Sequence, residues 1–385
     1  MSRCIDQGAL AITLDSIETP AVVVDRPQLA RNIAGMQAIA DRYGVGLRPH
    51  IKTHKCLEIA QMQRQAGAVG ITASKTDEAL LFIEAGFASI TVAYPLIDPC
   101  KLDRLLAAAR SHGTDLRVLA DSRAGCKALA AAAERQHLRL GVFLKVDVGL
   151  HRCGLRESDP ELIPLARSLH EAQWLDFRGL LSHAGHAYGA GSPGAVRAVA
   201  AEECAIMLRV RERLSTVGIS VPEVSVGSTP TALASDTYEG ITEMRPGTYV
   251  FLDRAGLRAG LIHPEDIALT VVATVVSRNT DYLIVDAGSK VLSSDSGAQG
   301  ASSSGYGLAF PLDRYPRLDE ALTVEKLSEE HGWVGRGPSQ LNIGERVRII
   351  PNHACPVANL ADGFAVADGM EIAAWWPVAA RGRVR

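Results

Sequence analysis

Residues 45–55 read Val-Gly-Leu-Arg-Pro-His-Ile-Lys-Thr-His-Lys, a short apolar run followed at once by histidines and lysines. The apolar residues predict a strand, so the basic side chains stand at its C-terminal end. A lysine in that position can form a Schiff base with a carbonyl compound when burial or a neighbouring cation lowers the pKa of its amine. Lys52 is therefore the candidate nucleophile. The same residues would also suit the solvated first turn of a surface helix, and the rest of the chain decides between the two.

Further apolar runs bounded by turn residues follow this one at regular intervals. Between them lie segments in which apolar residues recur every three or four positions, the pattern of amphipathic helices. Alternating strands and helices predict a parallel sheet, and eight such repeats predict an α/β fold of the closed (β/α)8 TIM-barrel type, with active-site residues at strand C-termini. The predicted strands are 45–48, 68–72, 89–93, 116–120, 140–147, 177–182, 223–226 and 241–244, and the predicted helices are 27–43, 76–86, 99–111, 122–136, 160–172 and 193–217.

After about residue 253 the helical periodicity stops, and strand-like segments follow one another at 267–276, 282–285, 346–350, 364–366 and 370–376. This change predicts an all-β C-terminal domain. A chain of 385 residues also exceeds the roughly 250–300 residues at which a single core stops growing. We therefore predict a barrel domain over residues 1–258 and a β domain over 259–385. Two polar stretches inside the second domain, 293–307 and 325–340, are predicted to be long loops.

The composition excludes several classes of partner. The formal net charge is -3, so no excess of positive charge favours nucleic acid or an anionic membrane. No stretch approaches the roughly 20 apolar residues of a membrane span, and residues 1–6 lack the apolar core of a signal peptide. The seven cysteines form no Cys-x-x-Cys pair, which indicates free thiols. We expect a cytoplasmic protein that acts on a small molecule.

The predicted strand ends carry reactive side chains throughout the barrel. The seventh strand is followed by Gly-Ser-Thr-Pro-Thr at 227–231 and then by a short helix, where barrels bind phosphate on backbone N–H groups. This position favours a phosphorylated ligand, although Ser or Thr before Pro is also an ordinary helix N-cap. The residues predicted at strand ends are His50, Lys52, Lys75, Tyr94, Asp121, Asp147 with Arg152, His183 with Tyr188, and Ser228 with Thr229.

A His-Ala-Cys segment at 353–355 directly follows a predicted strand of the second domain. On an extended segment alternate side chains share a face, so the His353 imidazole and the Cys355 thiolate could bind one divalent cation. Two protein ligands leave positions for substrate and water, as metal-assisted catalysis requires. A thiolate favours Zn2+ or Mn2+ over Mg2+. A His-x-Cys pair also occurs by chance, so the metal-binding interpretation depends on the residues that the barrel contributes.

A joint pattern of motifs extends through nearly the whole chain: TPAVVVD at 19–25, RPHIK at 48–52, DVG at 147–149 with RCG at 152–154, HAG at 183–185, GSTPT at 227–231, RPGTY at 245–249, DAG at 286–288, and the His-x-Cys segment. This pattern resembles the fold-type III pyridoxal phosphate (PLP) enzymes of the D-threonine aldolase and D-serine dehydratase group. The resemblance implies an alanine-racemase-like barrel, PLP on Lys52, a divalent metal (Mn2+ or Zn2+) on His353 and Cys355, and a homodimer with its active sites near the subunit interface.

The resemblance also implies how the cofactor is held. Gly227, Ser228 and Thr229 are expected to bind the PLP phosphate, with Tyr249 as an additional donor.

Three further residues are assigned in the same way. Tyr188 or Arg152 is expected near the pyridine nitrogen, although Arg152 also fits a salt bridge to Asp147. His183 is expected to line the cofactor face and to act in catalysis with Lys52 and His353, although a core histidine bonded to the backbone would explain it too.

The resemblance implies a lyase that acts on D-β-hydroxy-α-amino acids by one of two reactions. Retro-aldol cleavage, the D-threonine aldolase reaction, deprotonates the hydroxyl and breaks Cα–Cβ to give glycine and an aldehyde. Dehydration of D-serine or D-threo-3-hydroxyaspartate removes the Cα proton, with Lys52 as base, and releases hydroxide to a Lewis-acid metal, giving a keto acid and ammonia. The GSTPT motif and Cys355 resemble the dehydratases, whereas segments 356–363 and 379–382 resemble the aldolases. Aldol cleavage is placed slightly ahead.

Two other functions remain as alternatives. A non-catalytic PLP-binding protein would share the barrel but normally lacks a β domain. An amino-acid racemase would have both domains, but it needs a second acid or base, usually a tyrosine of the β domain, and has no use for the His-x-Cys pair. Both proteins should be indifferent to chelators.

Overall fold

The computed structural model describes residues 12–297, 304–337 and 341–385. The prediction about residues 1–6 lies outside the described residues. No helix of the described part is both long and apolar enough to cross a bilayer. The strands are β1 Ala21–Asp25, β2 Gly46–Leu47, β3 Ile71–Ala73, β4 Ser89–Pro95, β5 Asp115–Ala120, β6 Leu140–Lys145, β7 Leu175–Leu181, β8 Glu223–Val226, β9 Glu243–Met244, β10 Leu269–Arg278, β11 Tyr282–Val285, β12 Gly307–Pro311, β13 Leu322–Leu327, β14 Gly332–Gly335, β15 Arg346–Pro351, β16 Gly363–Asp368 and β17 Glu371–Pro377. The α-helices are α1 Arg26–Tyr43, α2 Leu57–Ala66, α3 Thr76–Glu84, α4 Pro99–His112, α5 Arg123–Arg135, α6 Leu162–Glu171, α7 Pro193–Thr216, α8 Thr229–Ala234, α9 Arg254–Arg258, α10 Ser289–Leu292 and α11 Ala354–Leu360.

Eight parallel strands form the first sheet in the order β2-β9-β8-β7-β6-β5-β4-β3. A parallel bridge between His50 and Thr72 joins the two ends of this order, so the sheet closes. A helix follows each strand, from α2 after β2 to α9 after β9. The predicted (β/α)8 barrel is confirmed, as is the helix before its first strand, which the Asp25 side chain caps.

A buried ion pair joins β2 to its neighbour β9 inside the barrel. Arg48, directly after β2, donates from Nε to Oε2 of Glu243 over 2.5 Å, and both side chains are almost fully buried. Arg48 also donates to Ser89 Oγ at 2.9 Å, while Ser225 Oγ donates to Glu243 Oε1 at 2.6 Å. Buried charges are tolerated when they are paired and their remaining hydrogen-bonding groups are satisfied, as they are here.

Nine strands form the second sheet, in the order β11-β14-β13-β12-β15-β10-β1-β16-β17. Strand β11 also pairs with β10, so β10 to β15 close into a second, antiparallel barrel. The all-β character of the C-terminal domain is confirmed. The predicted loop over 325–340 is wrong in part, because it contains the end of β13 and all of β14. Strand β14 reads Gly-Trp-Val-Gly, and its terminal glycines weaken the strand pattern in the sequence. The strand is held by pairing with β11 and β13.

Strand β1 belongs to the second sheet, although α1 begins at the next residue. It pairs antiparallel with β10 and parallel with β16. Its valines, Val22 to Val24, are buried, as a strand with neighbours on both sides requires. The assignment of all residues up to 258 to the barrel is therefore wrong for residues 21–25. The chain passes between the two domains twice.

Candidate active site

A cavity lies at the C-terminal ends of the barrel strands and has two adjoining lobes. Both lobes are lined by His50, Lys52, Ser74, His183 and Arg245. The first, which we call the metal-side lobe, has a volume of about 330 Å³ and is lined in addition by Lys55, Lys75, Glu78, Tyr188, Ser228, Thr229, Thr248, His353, Cys355 and Asn359. The second, which we call the barrel lobe, has a volume of about 370 Å³ and is lined in addition by Tyr94, Lys145, Arg152, Cys153 and Gly227. Most of the side chains predicted at separate strand ends thus line these two lobes, whereas Asp121 and Asp147 are not among the described residues that line either of them.

Lys52 lies in a 3-10 turn, Ile51–Thr53, directly after the first barrel strand, and its side chain lines both lobes. Burial lowers the pKa of its amine; the Cys355 thiolate opposes this shift and Arg152 adds to it. An amine with a lowered pKa is available as a nucleophile or base near neutral pH. Beside it, burial holds the pKa of His50 well below its ordinary value. His50 Nδ1 is buried and has no hydrogen-bond partner among the described residues, so a polar ligand in the cavity would satisfy it.

The segment predicted to bind phosphate lines the cavity, but two of its amides already have acceptors. Gly227 has φ +109, a conformation that favours glycine, and its amide donates to Glu203 Oε1 at 3.2 Å. The Ser228 amide donates to Thr231 Oγ1 at 2.9 Å, within the cap of α8. Gly227 shapes the turn before Ser228 and Thr229, and its expected contact with the PLP phosphate stays a prediction. Ser228 and Thr229 remain at the cavity wall.

Tyr249 lies behind this segment. Its amide donates to Thr229 Oγ1 at 3.1 Å, and its hydroxyl accepts from Gln63 Nε2 at 2.9 Å. The side chain is buried and is absent from the described residues that line either lobe. The expected contribution of Tyr249 to phosphate binding stays a prediction, and in this geometry its hydroxyl is bonded to α2.

The two candidates for the pyridine nitrogen lie in different lobes. The Tyr188 hydroxyl is 3.2 Å from Thr248 Oγ1, beside the phosphate segment, whereas Arg152 lines the barrel lobe. The alternative salt bridge from Arg152 to Asp147 is not formed, because the Asp147 carboxylate bonds to His151 Nδ1 at 2.7 Å. Of the two side chains, Arg152 is therefore the one placed among the cations of the barrel lobe.

His183 lies at the cavity wall and also contacts the backbone. It lines both lobes, and its Nδ1 is 3.1 Å from the Gly227 carbonyl oxygen. A ring nitrogen facing a carbonyl carries the proton, which leaves Nε2 as an acceptor. Burial, reinforced by Lys52, holds the pKa of His183 well below its ordinary value, so the ring is neutral.

His353 and Cys355 are neighbours, but not on an extended segment as predicted. His353 is the N-cap of α11, and Cys355 lies in the first turn of that helix. Both side chains still line the metal-side lobe. His353 Nδ1 lies 2.8 Å from Asp295 Oδ2. A carboxylate in this position orients a metal-binding histidine, and the sequence indicated Asp295 only through the long loop that contains it.

The charges of this pair suit a divalent cation. Burial raises the pKa of the Cys355 thiol, but His353 and then Lys52 lower it by more, so it lies below its ordinary value. Burial lowers the pKa of His353, whereas Cys355 and Asp295 raise it to about 11. A bound cation would replace the protons on its two ligands. Within the described residues no group of three His, Cys, Asp or Glu side chains is placed to hold a metal ion.

The sequence missed two cations of the cavity. Arg245 follows β9 as Lys52 follows β2, and burial lowers its pKa to about 10. Lys145 ends β6, donates to the Val146 carbonyl at 3.1 Å, and has its pKa lowered by burial to about 8. Both residues stand at strand ends, where the barrel rule would have found them. Together with the low-pKa amine and the hydroxyl-lined wall, they fit an anionic cofactor such as PLP.

Comparisons with known proteins agree with this geometry. The N-terminal domain of alanine racemase matches residues 24–255, and a putative serine dehydratase domain matches residues 268–367. A D-threo-3-hydroxyaspartate dehydratase from Delftia sp. (strain HT23) is 38% identical, over 97% of this chain and 97% of its own. A D-threonine aldolase from Arthrobacter sp. is 31% identical, over 96% and 94%.

Among solved structures, a cysteine-to-alanine mutant of D-threo-3-hydroxyaspartate dehydratase in the metal-free form superposes with a TM-score of 0.88. It is 35% identical, and the match covers 95% of this chain and 98% of the other. The chain therefore belongs to the family of fold-type III PLP enzymes that join an alanine-racemase N-terminal domain to a serine dehydratase domain.

Proposed function

We propose that this protein is a PLP- and divalent-metal-dependent lyase of D-β-hydroxy-α-amino acids, and that its reaction is dehydration to a keto acid and ammonia. The observation that carries this proposal is the meeting of Lys52 with His353 and Cys355 in one lobe of the cavity. The two groups fit one substrate that is held at two points. The barrel lysine would serve its amino end, and a cation on the thiolate-imidazole pair would serve its β-hydroxyl.

Each part of the cavity then has a role. When bound, PLP withdraws electrons from Cα of the amino acid and so weakens the bonds at that carbon. Lys52 would hold the cofactor and accept the Cα proton, while Ser228 and Thr229 line the end suited to its phosphate. His353 and Cys355 would hold the cation, which would act as a Lewis acid toward the β-hydroxyl.

The cationic lobe and the neutral histidine have roles as well. Arg152 lines the barrel lobe with Arg245 and would contact the polar edge of the cofactor. His183 would line the cofactor face as a neutral ring, which neither repels Lys52 nor takes its proton.

The preference for dehydration rests on where a base is available. Dehydration needs a base at Cα, and Lys52 is that base. Aldol cleavage needs a base for the hydroxyl proton near His353 and Cys355. Among the described residues of this lobe the carboxyl is Glu78, and burial raises its pKa; the neutral His50 and His183 line the lobe as well, beside Lys52. The similarity to the Delftia dehydratase supports the same choice, although the sequence motifs alone placed aldol cleavage ahead.

Aldol cleavage is the second candidate. The Arthrobacter D-threonine aldolase matches nearly the whole chain, and the aldolase-like segment 379–382 lies close to the site. The Ala380 amide donates to the Lys55 carbonyl at 3.0 Å, and Lys55 lines the metal-side lobe.

We also propose that the protein is a cytoplasmic homodimer. Strand β17 forms an edge of the second sheet, and its Trp375 side chain is 59% exposed. An exposed apolar edge is a feature that monomers usually avoid. Buried unpaired thiols at Cys56, Cys126 and Cys204 support a reducing compartment. Light scattering coupled to size exclusion would test the dimer, and cell fractionation the compartment.

The test of function uses protein loaded with PLP and Zn2+ or Mn2+. It is incubated separately with D-serine, D-threonine and D-threo-3-hydroxyaspartate, and keto acid plus ammonia is measured alongside glycine plus aldehyde. We expect keto acid and ammonia, and no product after chelation. Glycine and aldehyde alone would replace dehydration by aldol cleavage, whereas the absence of both product pairs would refute the lyase function.

A further inference from the structure

Glu78 is a buried carboxyl in the cavity wall that no sequence motif indicated. It is the third residue of α3, and its side chain is 0% exposed, yet it lines the metal-side lobe with Lys52 and Lys55. Its Oε2 accepts from the Ser74 amide. Its Oε1 is buried and has no hydrogen-bond partner in the described part of the chain. One carboxyl oxygen therefore remains for another use.

The surroundings favour a neutral carboxyl. Burial raises the pKa of Glu78, and the opposing effects of Lys55 and Lys52 are smaller. Burial lowers the pKa of both lysines. Lys55 Nζ donates to Asn359 Oδ1 at 2.7 Å, and not to Glu78. Because an unpaired charge is costly inside a protein, this environment favours the neutral form of the carboxyl.

We propose that Glu78 is a proton-transfer residue of this site, placed to carry protons between Lys52 and the hydroxyl group that leaves beside His353 and Cys355. The proposal rests on the dehydratase function proposed above. It follows from three observations: the carboxyl lines the same lobe as both ends of the transfer, it is fully buried, and one of its oxygens is unpartnered.

The transfer balances without any added reactant. The Cα–H bond breaks and its proton goes to the Lys52 amine. The Cβ–O bond breaks, and its electron pair leaves with the oxygen as hydroxide. Glu78 gives its proton to this hydroxide, which forms water, and the resulting Glu78 carboxylate takes the proton from the Lys52 ammonium. Both side chains return to their starting protonation states, and nothing is oxidised or reduced.

A purely structural role for Glu78 predicts different behaviour. A glutamate in the first turn of a helix often accepts from a backbone amide before the helix, as Glu78 does from Ser74. Glu78→Gln keeps an oxygen for that amide and keeps the shape of the side chain, but it cannot carry the proton. Glu84→Gln is the matched control, because Glu84 ends the same helix and is exposed.

Infrared difference spectroscopy tests the proton without relying on turnover. At pH 7 the wild type and Glu84→Gln should both show the carbonyl stretch of a protonated carboxylic acid, and Glu78→Gln should lack it, with or without PLP and metal. An identical band in Glu78→Gln, or no such band in the wild type, would mean that Glu78 is ionised and would overturn the proposal.

Kinetics of the loaded enzyme test the transfer. Glu78→Gln should lower kcat by about 10²-fold or more, in the range of general acid-base effects, with KM changed less than about threefold. Borohydride should still trap the cofactor on Lys52. Glu78→Asp, which restores a carboxyl, should recover at least about a tenth of wild-type kcat, and it serves as the test variant if the glutamine protein is unstable.

The two proposals fail in different ways. Wild-type kcat in Glu78→Gln, together with an active wild type, would refute the transfer and leave the lyase intact. A wild type without lyase activity would refute the function and with it the transfer, whereas the infrared band would still report whether Glu78 holds a proton.

Discussion

The side chains around Lys52 have pKa values that differ from their ordinary values mainly because these side chains are buried. Burial lowers the pKa of Lys52 and His183 and raises that of Glu78, so each favours its neutral form. His353 and Cys355 behave in the opposite way, since each stabilises the charge of the other. Groups that exchange protons and groups that bind a cation are thus separated by their environments within one cavity.

The first prediction concerns Lys52. Lys52→Ala should lower kcat by at least about 10²–10⁴-fold, because the base at Cα is lost. The fold should persist, since the side chain contributes to a cavity wall and not to the core. Borohydride reduction of the PLP-loaded wild type, followed by peptide mapping, should place the label on Lys52. A label on Lys55 or Lys75 would contradict the assignment.

Several site residues could be predicted from the sequence, and others could not. Lys52, Ser228 and Thr229 follow from the rule that barrel strands end in functional residues, and they line the cavity as expected. Asp295 and Glu78 carry no such signal, because an aspartate in a loop and a glutamate in a first helical turn are common. Their roles depend on packing against elements far away in the chain.

At the scale of elements, length and pattern decided what was predictable. The long helices and the barrel strands were predicted within a few residues, because each carries its own periodicity. Strands β1, β12, β13 and β14 were not predicted; of these, β12 and β14 are short and begin with glycine, which weakens the strand pattern. The start of α11 was predicted to be extended, but Pro356 stands in its first turn, where proline is tolerated and a helix can begin.

The pairing of β2 with β9 supports a second prediction. Glu243→Gln should reduce the free energy of unfolding by about 3–5 kcal/mol, because it leaves the Arg48 guanidinium buried without its counter-charge. Urea denaturation of the apoprotein, with an unchanged m-value, would measure the loss.

The double variant Arg48→Met with Glu243→Leu is the informative comparison. Removing both charges should cost less than removing one, since an apolar pair leaves no buried charge. A double variant as unstable as the sum of both single variants would show that the two charges do not interact, which would contradict the buried ion pair.

For the molecule as a whole, the central fact is that the cavity draws on both domains. Lys52 comes from the barrel, whereas His353 and Cys355 come from α11 in the second domain. Cofactor and cation should therefore be separable by mutation, although the reaction needs both.

The third prediction uses this separation. Cys355→Ala should lose the cation and the activity together, yet keep PLP, because the two groups bind different walls. Metal analysis and the absorbance of the bound cofactor would be compared with Cys153→Ala, a cysteine of the barrel lobe that should keep its metal. Full activity of Cys355→Ala, or of chelator-treated wild type, would contradict a catalytic metal.

The fourth prediction concerns the hand of the substrate. The substrate would be held at its amino group by one domain and at its β-oxygen by the other. Only one configuration at Cα then lets the β-hydroxyl reach the cation. The other configuration should lose a contact worth several kcal/mol in the transition state, and at about 1.4 kcal/mol per decade this gives at least about a hundredfold preference in kcat/KM. Rates on D- and L-threonine, measured after excluding contaminating racemase, should show this preference for D. Comparable rates would refute this two-point binding.

The position of β1 also bears on how the protein is made. A ribosome releases this strand before the barrel, whereas β10 and β16, between which it pairs, are synthesised after the barrel. Its valines must stay unpaired while the barrel emerges, at a stage when apolar strands are prone to aggregate. The second sheet can be completed only after release of Gly363–Asp368. Truncated nascent chains should therefore depend on chaperones, and insertion of β1 becomes the late step that joins the two folding units.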